Sequence, residues 1–179
     1  MATSVRDIQG NDTSRASSDA DLIFRFQAQL NVVPVGLTPE GLRMANAYEG
    51  AVTAGRLRGA RVWGTDHLLL RSDGVCVIDA QTMLSQSANS HVYEHVYGYC
   101  LPPDGLQVPP LEELLEPGFE WPNVDFPIVA FSTFRAGTRE LEYLNSLTAR
   151  IDGWANFATG GLAIDTRLVQ HDARVPKPI

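Results

Sequence analysis

The stretch DHLLLRSDGVCVIDAQTML, residues 66–84, decides the fold. Two apolar runs flank Ser72-Asp73-Gly74, and an Asp-Gly turn between two such runs is typical of a β-hairpin. Similar short runs rich in Val, Leu, Ile and Tyr follow one another from residue 47 onward, with Gly or Asp-Gly between them. Because no helical period separates these runs, we expect consecutive antiparallel strands.

The same pattern extends in both directions from this hairpin. Upstream, LIFRFQAQLNVV (22–33) alternates apolar and polar residues, as a half-buried strand does. Turns are predicted at Asp152-Gly153 and Gly160-Gly161. The further predicted strands are AVTAGRLRGARVW (51–63, a Gly-broken pair), HVYEHVYGYC (91–100), IVAFSTF (128–134), LTARIDGWANFA (147–158) and GLAIDTRLV (161–169).

These elements predict an all-β, mainly antiparallel chain: a closed β-barrel of about eight strands or a barrel-like sandwich. Closure would remove the unpaired edges that an open sheet exposes. TRELEYLNS (138–146) indicates one short helix. We expect a single barrel domain over residues 21–170, a disordered N-terminal tail over 1–20 and a polar C-terminal tail over 171–179.

Residues 101–127 form a long Pro-rich loop in this prediction. They hold seven of the eleven prolines and six acidic residues, with no basic one. One helical turn is predicted at LEELLE (111–116). A loop of this length in a compact domain commonly serves as a lid, a covering flap or a partner contact.

Composition excludes several classes of protein. The 179 residues carry a net charge of −7, and Lys177 is the only lysine among 14 basic residues, so a nucleic-acid partner is not expected. No apolar run could cross a membrane and no secretory signal begins the chain. Cys76 and Cys100 are interpreted as buried thiols in a reducing, cytoplasmic location.

The segment 41–99 resembles a known family, domain-of-unknown-function family 3237. The resemblance lies in GLRMANAYEGAVTAGRLRG, TDH, RSDGV, IDA and VYEHVYG, and later in FSTFRAG and YLN. It implies a closed antiparallel barrel with an interior cavity and usually no cofactor. Thr65 and His67 stand where the family commonly has Ala and Trp, and His95 and Tyr97 also depart from it, which suggests a specialised pocket.

The segment HVYEHVYGY is the richest in chemistry. On a strand, one face carries the imidazole and phenol side chains and the other carries Val92, Glu94, Val96 and Gly98. Either face suits the barrel interior, so the sequence leaves two alternatives: a polar cavity wall or an exposed row of cross-strand pairs. The polar face consists of His91, Tyr93, His95, Tyr97 and Tyr99.

The histidine spacing does not predict a metal site. His91 and His95, with His67, could supply imidazole ligands, but the spacing of the two on one strand skips a position and completes no known ligand set. The expected site contains no metal.

Asp66 and Asp79 are carboxylates within apolar strands. A carboxylate on an apolar face has a raised pKa and can act as a general acid or base, although Asp66 could equally cap a turn. Arg71 is the expected partner of Asp79 across the hairpin, as a structural pair or a substrate clamp. Asn145 could bind a ligand carbonyl or end the helix, and Trp63 fits the rim of a site.

The leading hypothesis is a cofactor-independent enzyme, since no nucleotide-binding or serine-hydrolase motif is present. It would isomerise, cyclise or dehydrate an oxygenated aromatic or polyketide-like molecule in biosynthetic metabolism. The alternative is a lipocalin-like carrier of a small hydrophobic ligand, and a homodimer is left open. The expected catalytic residues are Asp66, His67, Tyr93 and His95, and the expected substrate-binding residues are Arg71, Asp79, Tyr97, Asn145 and Trp63.

Overall fold

The structure, a computed structural model, describes residues 21–169, so the two predicted tails lie outside the described residues. Two short 3-10 helices, Glu113–Leu115 and Glu142–Ser146, accompany the strands. The nine strands are β1 (Leu22–Asn31), β2 (Pro34–Thr38), β3 (Gly41–Gly55), β4 (Arg61–Leu70), β5 (Cys76–Ser87), β6 (Ser90–Cys100), β7 (Phe126–Ala136), β8 (Thr148–Asn156) and β9 (Gly161–Leu168).

Eight of these strands close into an antiparallel barrel. Neighbours follow the order β1-β9-β8-β7-β6-β5-β4-β3, and β3 pairs back with β1 to complete the circle. The short strand β2, which the sequence did not predict, pairs with β3 alone. The all-β class and the closed barrel of about eight strands are confirmed.

The core fills the barrel from one end. Phe24 and Phe134 are fully buried and meet edge to face with ring centroids 6.3 Å apart. Leu57 and Leu144 add apolar side chains beside them, Leu144 from the second 3-10 helix. Because these side chains fill this end, free space inside the barrel lies further along, toward the opposite end.

The predicted turn at Asp152-Gly153 is wrong, because both residues lie within β8. A Cβ atom on Gly153 would stand 2.3 Å from the carbonyl oxygen of Ala163 on β9. The glycine therefore permits close approach of two strands instead of reversing the chain. The predicted turn at Gly160 is present, with a positive φ of 70°.

The Pro-rich segment 101–125, which we call the insert, packs across the other end of the barrel. We call this end the insert end. Leu114 is buried in the core, within the predicted helical turn. Trp121 packs on Phe157, which follows β8, with ring centroids 4.9 Å apart. The segment also returns to the barrel through polar contacts, since Asn156 Nδ2 donates hydrogen bonds of 3.0 Å to Asn123 and Asp125.

The described residues contain no helix long and apolar enough to cross a membrane.

Candidate functional site

A cavity lies inside the barrel between its middle and the insert end. The volume of this cavity, counted as the space that the centres of water molecules can occupy, is about 60 Å³. It has room for about four waters. Phe157 is part of its wall and is the residue against which Trp121 of the insert packs. The insert therefore contacts the cavity wall directly.

The cavity has one polar wall and one apolar wall. Strands β1, β8 and β9 contribute hydrocarbon side chains such as Phe26, Ile151 and Ile164. Among the described lining residues, strands β3 to β6 contribute all five with polar side-chain oxygen or nitrogen atoms, together with apolar residues such as Leu68 and Ile78. These polar residues are Asn46, Tyr48, Asp66, Thr82 and Glu94.

Asp66 lies on β4 with its carboxyl group turned into the barrel and is 8% exposed. The backbone N–H of Asp79 donates a 3.1 Å hydrogen bond to Asp66 Oδ1. Burial raises the pKa of Asp66 to about 6, although this hydrogen bond opposes the rise. The sequence-based expectation of an inward carboxylate with a raised pKa is therefore met.

Glu94 is the second acidic group of the cavity and has no exposed surface. Burial raises its pKa to about 7, while the nearby Ser132 and Thr82 hydroxyls hold the rise back. Neither carboxyl oxygen makes a hydrogen bond of normal geometry within residues 21–169. A buried carboxyl group whose nearest polar neighbours are two hydroxyl groups, with no cation beside it among the described residues, is costly, so its presence favours a functional role.

Tyr48 is a third polar residue of the cavity wall and hydrogen-bonds with Thr82. Its hydroxyl lies 2.7 Å from the hydroxyl oxygen of Thr82. Burial raises the pKa of Tyr48 well above its usual value. The phenol thus remains neutral and acts as a hydrogen-bonding group.

Asn46 lies directly opposite Asp66 in the ladder between β3 and β4. The side chain is 2% exposed. Its amide is near enough to lower the pKa of Asp66 slightly, yet neither Nδ2 nor Oδ1 makes a hydrogen bond of normal geometry to any described residue. A carboxamide in this position is available to a ligand.

Cys76 and Cys100 are free, buried and directly opposite each other on β5 and β6. The hydrogen bond with the Cys76 thiol and burial both raise the pKa of the Cys100 thiol. The sequence-based interpretation as buried thiols holds, and thiolate chemistry is disfavoured here.

The polar face of HVYEHVYGY points away from the cavity. On β6 the inner residues are Val92, Glu94, Val96 and Gly98, whereas Tyr97 is 55% exposed on the outside. Tyr93, His95 and Tyr97, with His67 on β4, therefore do not join Asp66 around one cavity. Successive side chains of a strand point to opposite faces, so packing of Val92 and Val96 into the barrel places the imidazoles and phenols on the outside.

The expected Arg71–Asp79 pair does not form. Arg71 lies 2.5 Å from Asp73 within its own turn. Asp79 accepts a hydrogen bond of 2.8 Å from His95 Nε2 on the outer surface. Both side chains point outward from the barrel, and the register places Asp79 beside β6, so a β6 side chain reaches it first.

Asn145 and Trp63 also lie outside the cavity. Asn145 Oδ1 accepts from the backbone N–H of Ala136 at 2.6 Å, and Nδ2 donates to its carbonyl oxygen at 3.0 Å. The amide thus ties the second 3-10 helix to β7. Trp63 is half-buried on the outer side of β4, with the Arg61 guanidinium 5.1 Å from its ring centroid.

The sequence analysis missed four of the five polar cavity residues: Asn46, Tyr48, Thr82 and Glu94. The signal for Glu94 was present, because a carboxyl group lay between Val92 and Val96 on the face of β6 equally suited to a core. Within the described part of the chain, no group of three or more His, Cys, Asp or Glu side chains is arranged to hold a metal ion.

The fold and cavity define a small antiparallel β-barrel whose interior cavity is mostly apolar and carries two buried carboxyl groups. A family model described as a protein of unknown function, DUF3237, matches residues 19–149. The chain belongs to this family, as the resemblance of segment 41–99 predicted. No curated protein matches the chain.

Solved structures share the same fold. A conserved protein of unknown function from Rhodopseudomonas palustris matches with a TM-score of 0.61 and 20% identity, over 84% of this chain and 96% of that one. A protein of unknown function from Clostridium acetobutylicum gives 0.63 and 15%, over 84% and 98%. A β-barrel-like protein from Acinetobacter baumannii gives 0.61 and 18%, over 84% and 94%.

Proposed function

We propose that this chain is a cofactor-independent enzyme that catalyses proton transfer on a small oxygenated molecule, as an isomerase, cyclase or dehydratase does. One observation carries the proposal: Asp66 and Glu94 are two buried carboxyl groups on the wall of the same, otherwise largely apolar cavity. Proton transfer needs an acid, a base and a shaped site that excludes water.

The two carboxyl groups suit opposite roles near neutral pH. With a pKa of about 6, Asp66 is mostly ionised at pH 6.5 to 7 and can accept a proton. With a pKa of about 7, Glu94 still holds its proton over much of that range and can donate it. Burial raises the pKa of both carboxyl groups toward neutrality, where one can hold a proton while the other is ionised, and such a pair can act as acid and base.

Their spacing leaves room for a reacting group. Asp66 pairs with Ala80 on β5, and Glu94 pairs with Thr82 two residues further along that strand. Two strand spacings and two residues separate their Cα atoms by roughly 12 Å. Both side chains extend inward, so a small molecule can contact both.

The size of the cavity limits what reacts inside it. Room for about four waters accommodates the reacting end of a substrate but not a whole aromatic or polyketide-like molecule. A larger aromatic or polyketide-like substrate would extend past Phe157 toward the insert. Its entry would then require Trp121 to move from its contact with Phe157.

The carrier alternative is favoured by the apolar wall, which would hold a hydrophobic ligand without turnover. A carrier needs no separation of the two carboxyl pKa values, whereas an acid–base enzyme does. The cytoplasmic location and the homodimer stay predictions.

Deuterium labelling tests the proposal without knowledge of the substrate. The protein is incubated in D₂O with a protein-free metabolite extract, and mass spectrometry records every compound that gains deuterium at a carbon-bound position. Proton transfer through a base that exchanges with solvent leaves this label in the product of an isomerase or cyclase, and in the recovered substrate of a dehydratase through reversal of the proton abstraction. We expect at least one compound to be labelled by the wild-type chain and to lose that label with Asp66→Asn.

The control is Asp152→Asn, which removes a carboxylate from an ion pair with Arg150 on β8 and leaves the cavity intact. It should label as the wild type does. Labelling that is absent throughout, or equal in wild type and Asp66→Asn, would contradict the enzyme and leave the carrier.

A further inference from the structure

The geometry points to a neutral carbonyl compound as the substrate of this cavity, with its oxygen held by the Asn46 carboxamide. This inference deepens the proposed acid–base function and rests on it. It assigns Asn46 as a binding residue that selects the substrate class.

The charge of the cavity excludes anionic substrates. Its wall carries two carboxyl groups, and no arginine, lysine or histidine belongs to the described residues that line it. A carboxylate or phosphate ligand would have to leave water and lie beside Asp66 without a cation to compensate it. A neutral ligand meets no such penalty.

Asn46 supplies the group that a carbonyl oxygen needs. Its side chain is 2% exposed on the cavity wall, and Nδ2 makes no hydrogen bond of normal geometry within residues 21–169. An amide nitrogen carries two hydrogens, so one can face Asp66 while the other donates to a ligand. Buried polar atoms are rarely left unpaired, and a bound oxygen would satisfy this one.

The register brings this donor next to the base. Asn46 and Asp66 are a directly opposed pair on β3 and β4, and opposed side chains lie about 5 Å apart at Cβ. A carbonyl oxygen at Asn46 therefore places the carbon next to the carbonyl near the Asp66 carboxylate. The hydrocarbon remainder of the ligand can lie against the apolar wall formed by residues such as Ile151 and Ile164.

The step balances without a further reactant. Asp66 takes a proton from the carbon next to the carbonyl, and the released C–H electron pair forms a C=C bond. The C=O π pair moves to the oxygen, which Asn46 Nδ2 stabilises by a hydrogen bond. Glu94 delivers its proton to that oxygen and gives an enol. In a ligand with a C=C bond one carbon further along, Asp66 returns its proton to the far end of the resulting dienol while the O–H proton goes back to Glu94 as the C=O bond re-forms, so the double bond has moved and both carboxyl groups are restored.

Direct binding of three small probes tests the inference. Cyclopentanone is a neutral ketone of suitable size, cyclopentane is its counterpart without oxygen, and pyruvate is an anion with as many non-hydrogen atoms as the ketone. Ligand-detected NMR titration gives Kd for each. We expect cyclopentanone to bind the wild-type chain at least tenfold more tightly than pyruvate.

The variant is Asn46→Leu, with Asn46→Ala as a second in case the larger side chain fills the cavity. Loss of one hydrogen bond should weaken cyclopentanone about tenfold and leave cyclopentane unchanged. Thermal unfolding checks that each variant is folded.

The ratio of the Kd of cyclopentane to the Kd of cyclopentanone distinguishes the outcomes. A tenfold fall of that ratio in both variants supports the inference. Equal binding of pyruvate, no binding of cyclopentanone, or an unchanged ratio overturns it. Ketone selection by Asn46 with no Asp66-dependent labelling in D₂O would instead contradict the enzyme alone, and labelling of an anionic compound would contradict the substrate class alone.

Discussion

The two faces of strand β6 differ in chemistry, and the face with fewer functional groups is the one that lies inside the barrel. The outer face carries two histidines and three tyrosines, and Tyr97 is more than half exposed. The inner face carries Val92, Val96, Gly98 and the buried Cys100 thiol, with a single carboxyl group, Glu94. The face with many reactive groups faces solvent, whereas the face with few contributes to the cavity.

Burial, more than the number of functional groups, gives a side chain unusual properties here. His95 and Asp79 form an exposed hydrogen-bonded pair, with side chains 44% and 53% accessible. Glu94 has no such access to water, and its pKa rises to about 7. One carboxyl group in a low-dielectric interior is therefore a stronger candidate for proton transfer than several imidazoles in water.

The largest effect expected from this comparison is on catalysis. Glu94→Gln removes the proton donor and should lower the rate of deuterium incorporation about 100- to 10,000-fold. His95→Gln, one residue away on the outer face, should change that rate less than about threefold. Both rates are measured by mass spectrometry under identical conditions. Comparable losses of rate in the two variants would mean that the outer face belongs to the active site.

A matched pair on β7 compares the two faces for stability. Phe134 is fully buried, so Phe134→Ala should lower the free energy of unfolding by about 3–5 kcal/mol. Phe131, on the opposite face of the same strand, is 54% exposed, and Phe131→Ala should cost less than about 1 kcal/mol. Urea denaturation measures both, and similar costs would mean that Phe131 is covered in solution.

The raised pKa of Glu94 predicts a pH dependence of stability. Its pKa is about 7 when folded and about 4.5 when exposed in the unfolded chain, so the folded state binds its proton more tightly. The free energy of unfolding should therefore fall as pH rises from about 4.5 to about 7. At about 1.4 kcal/mol per pH unit, the loss is about 3 kcal/mol.

Glu94→Gln should remove this loss, so that the variant gains stability relative to wild type as pH rises. Denaturation curves at pH 5 and pH 8 measure the difference. Glu49→Gln, at an exposed ion pair with Arg61, is the control and should follow the wild type. Parallel pH dependence in wild type and Glu94→Gln would show that Glu94 is not the group responsible.

The smallest effect concerns the exposed pair on the outer surface. His95→Ala should lower the free energy of unfolding by about 1 kcal/mol or less, because both partners are well hydrated. A double-mutant cycle with Asp79→Ala isolates the pair. A coupling above about 2 kcal/mol would indicate that this region is buried in solution.

Much of the fold was predictable because strand signals are local. Alternation over LIFRFQAQLNVV and the turn at Asp73-Gly74 depend on neighbouring residues, and both were predicted correctly. Asp152-Gly153 was not, because the same dipeptide marks a turn or a close strand contact, and only the neighbouring strand decides between them. Strand β2 was missed because its Pro and Gly residues hide a short edge pairing.

The candidate site was predictable only in part. Asp66 was identified because a carboxylate on an apolar strand face is visible in sequence. Glu94 was not identified because either face of its strand could have lain inside the barrel. Asn46 was not identified because nothing in the pattern of its strand distinguishes it. The Arg71–Asp79 pairing failed because the hairpin brings the two strands together without fixing which neighbour each side chain reaches.

The sequence by itself determined an antiparallel barrel, its Asp-Gly hairpin and an acidic group on an apolar strand face, since period-two alternation and turn chemistry act within a few residues. Only the tertiary structure decided which face of β6 lies inside, because a strand of mixed character becomes oriented when its neighbours pack against it. That choice, made by Val92 and Val96 with the rest of the core, placed Glu94 with Asp66 and Asn46 and left the histidines in water.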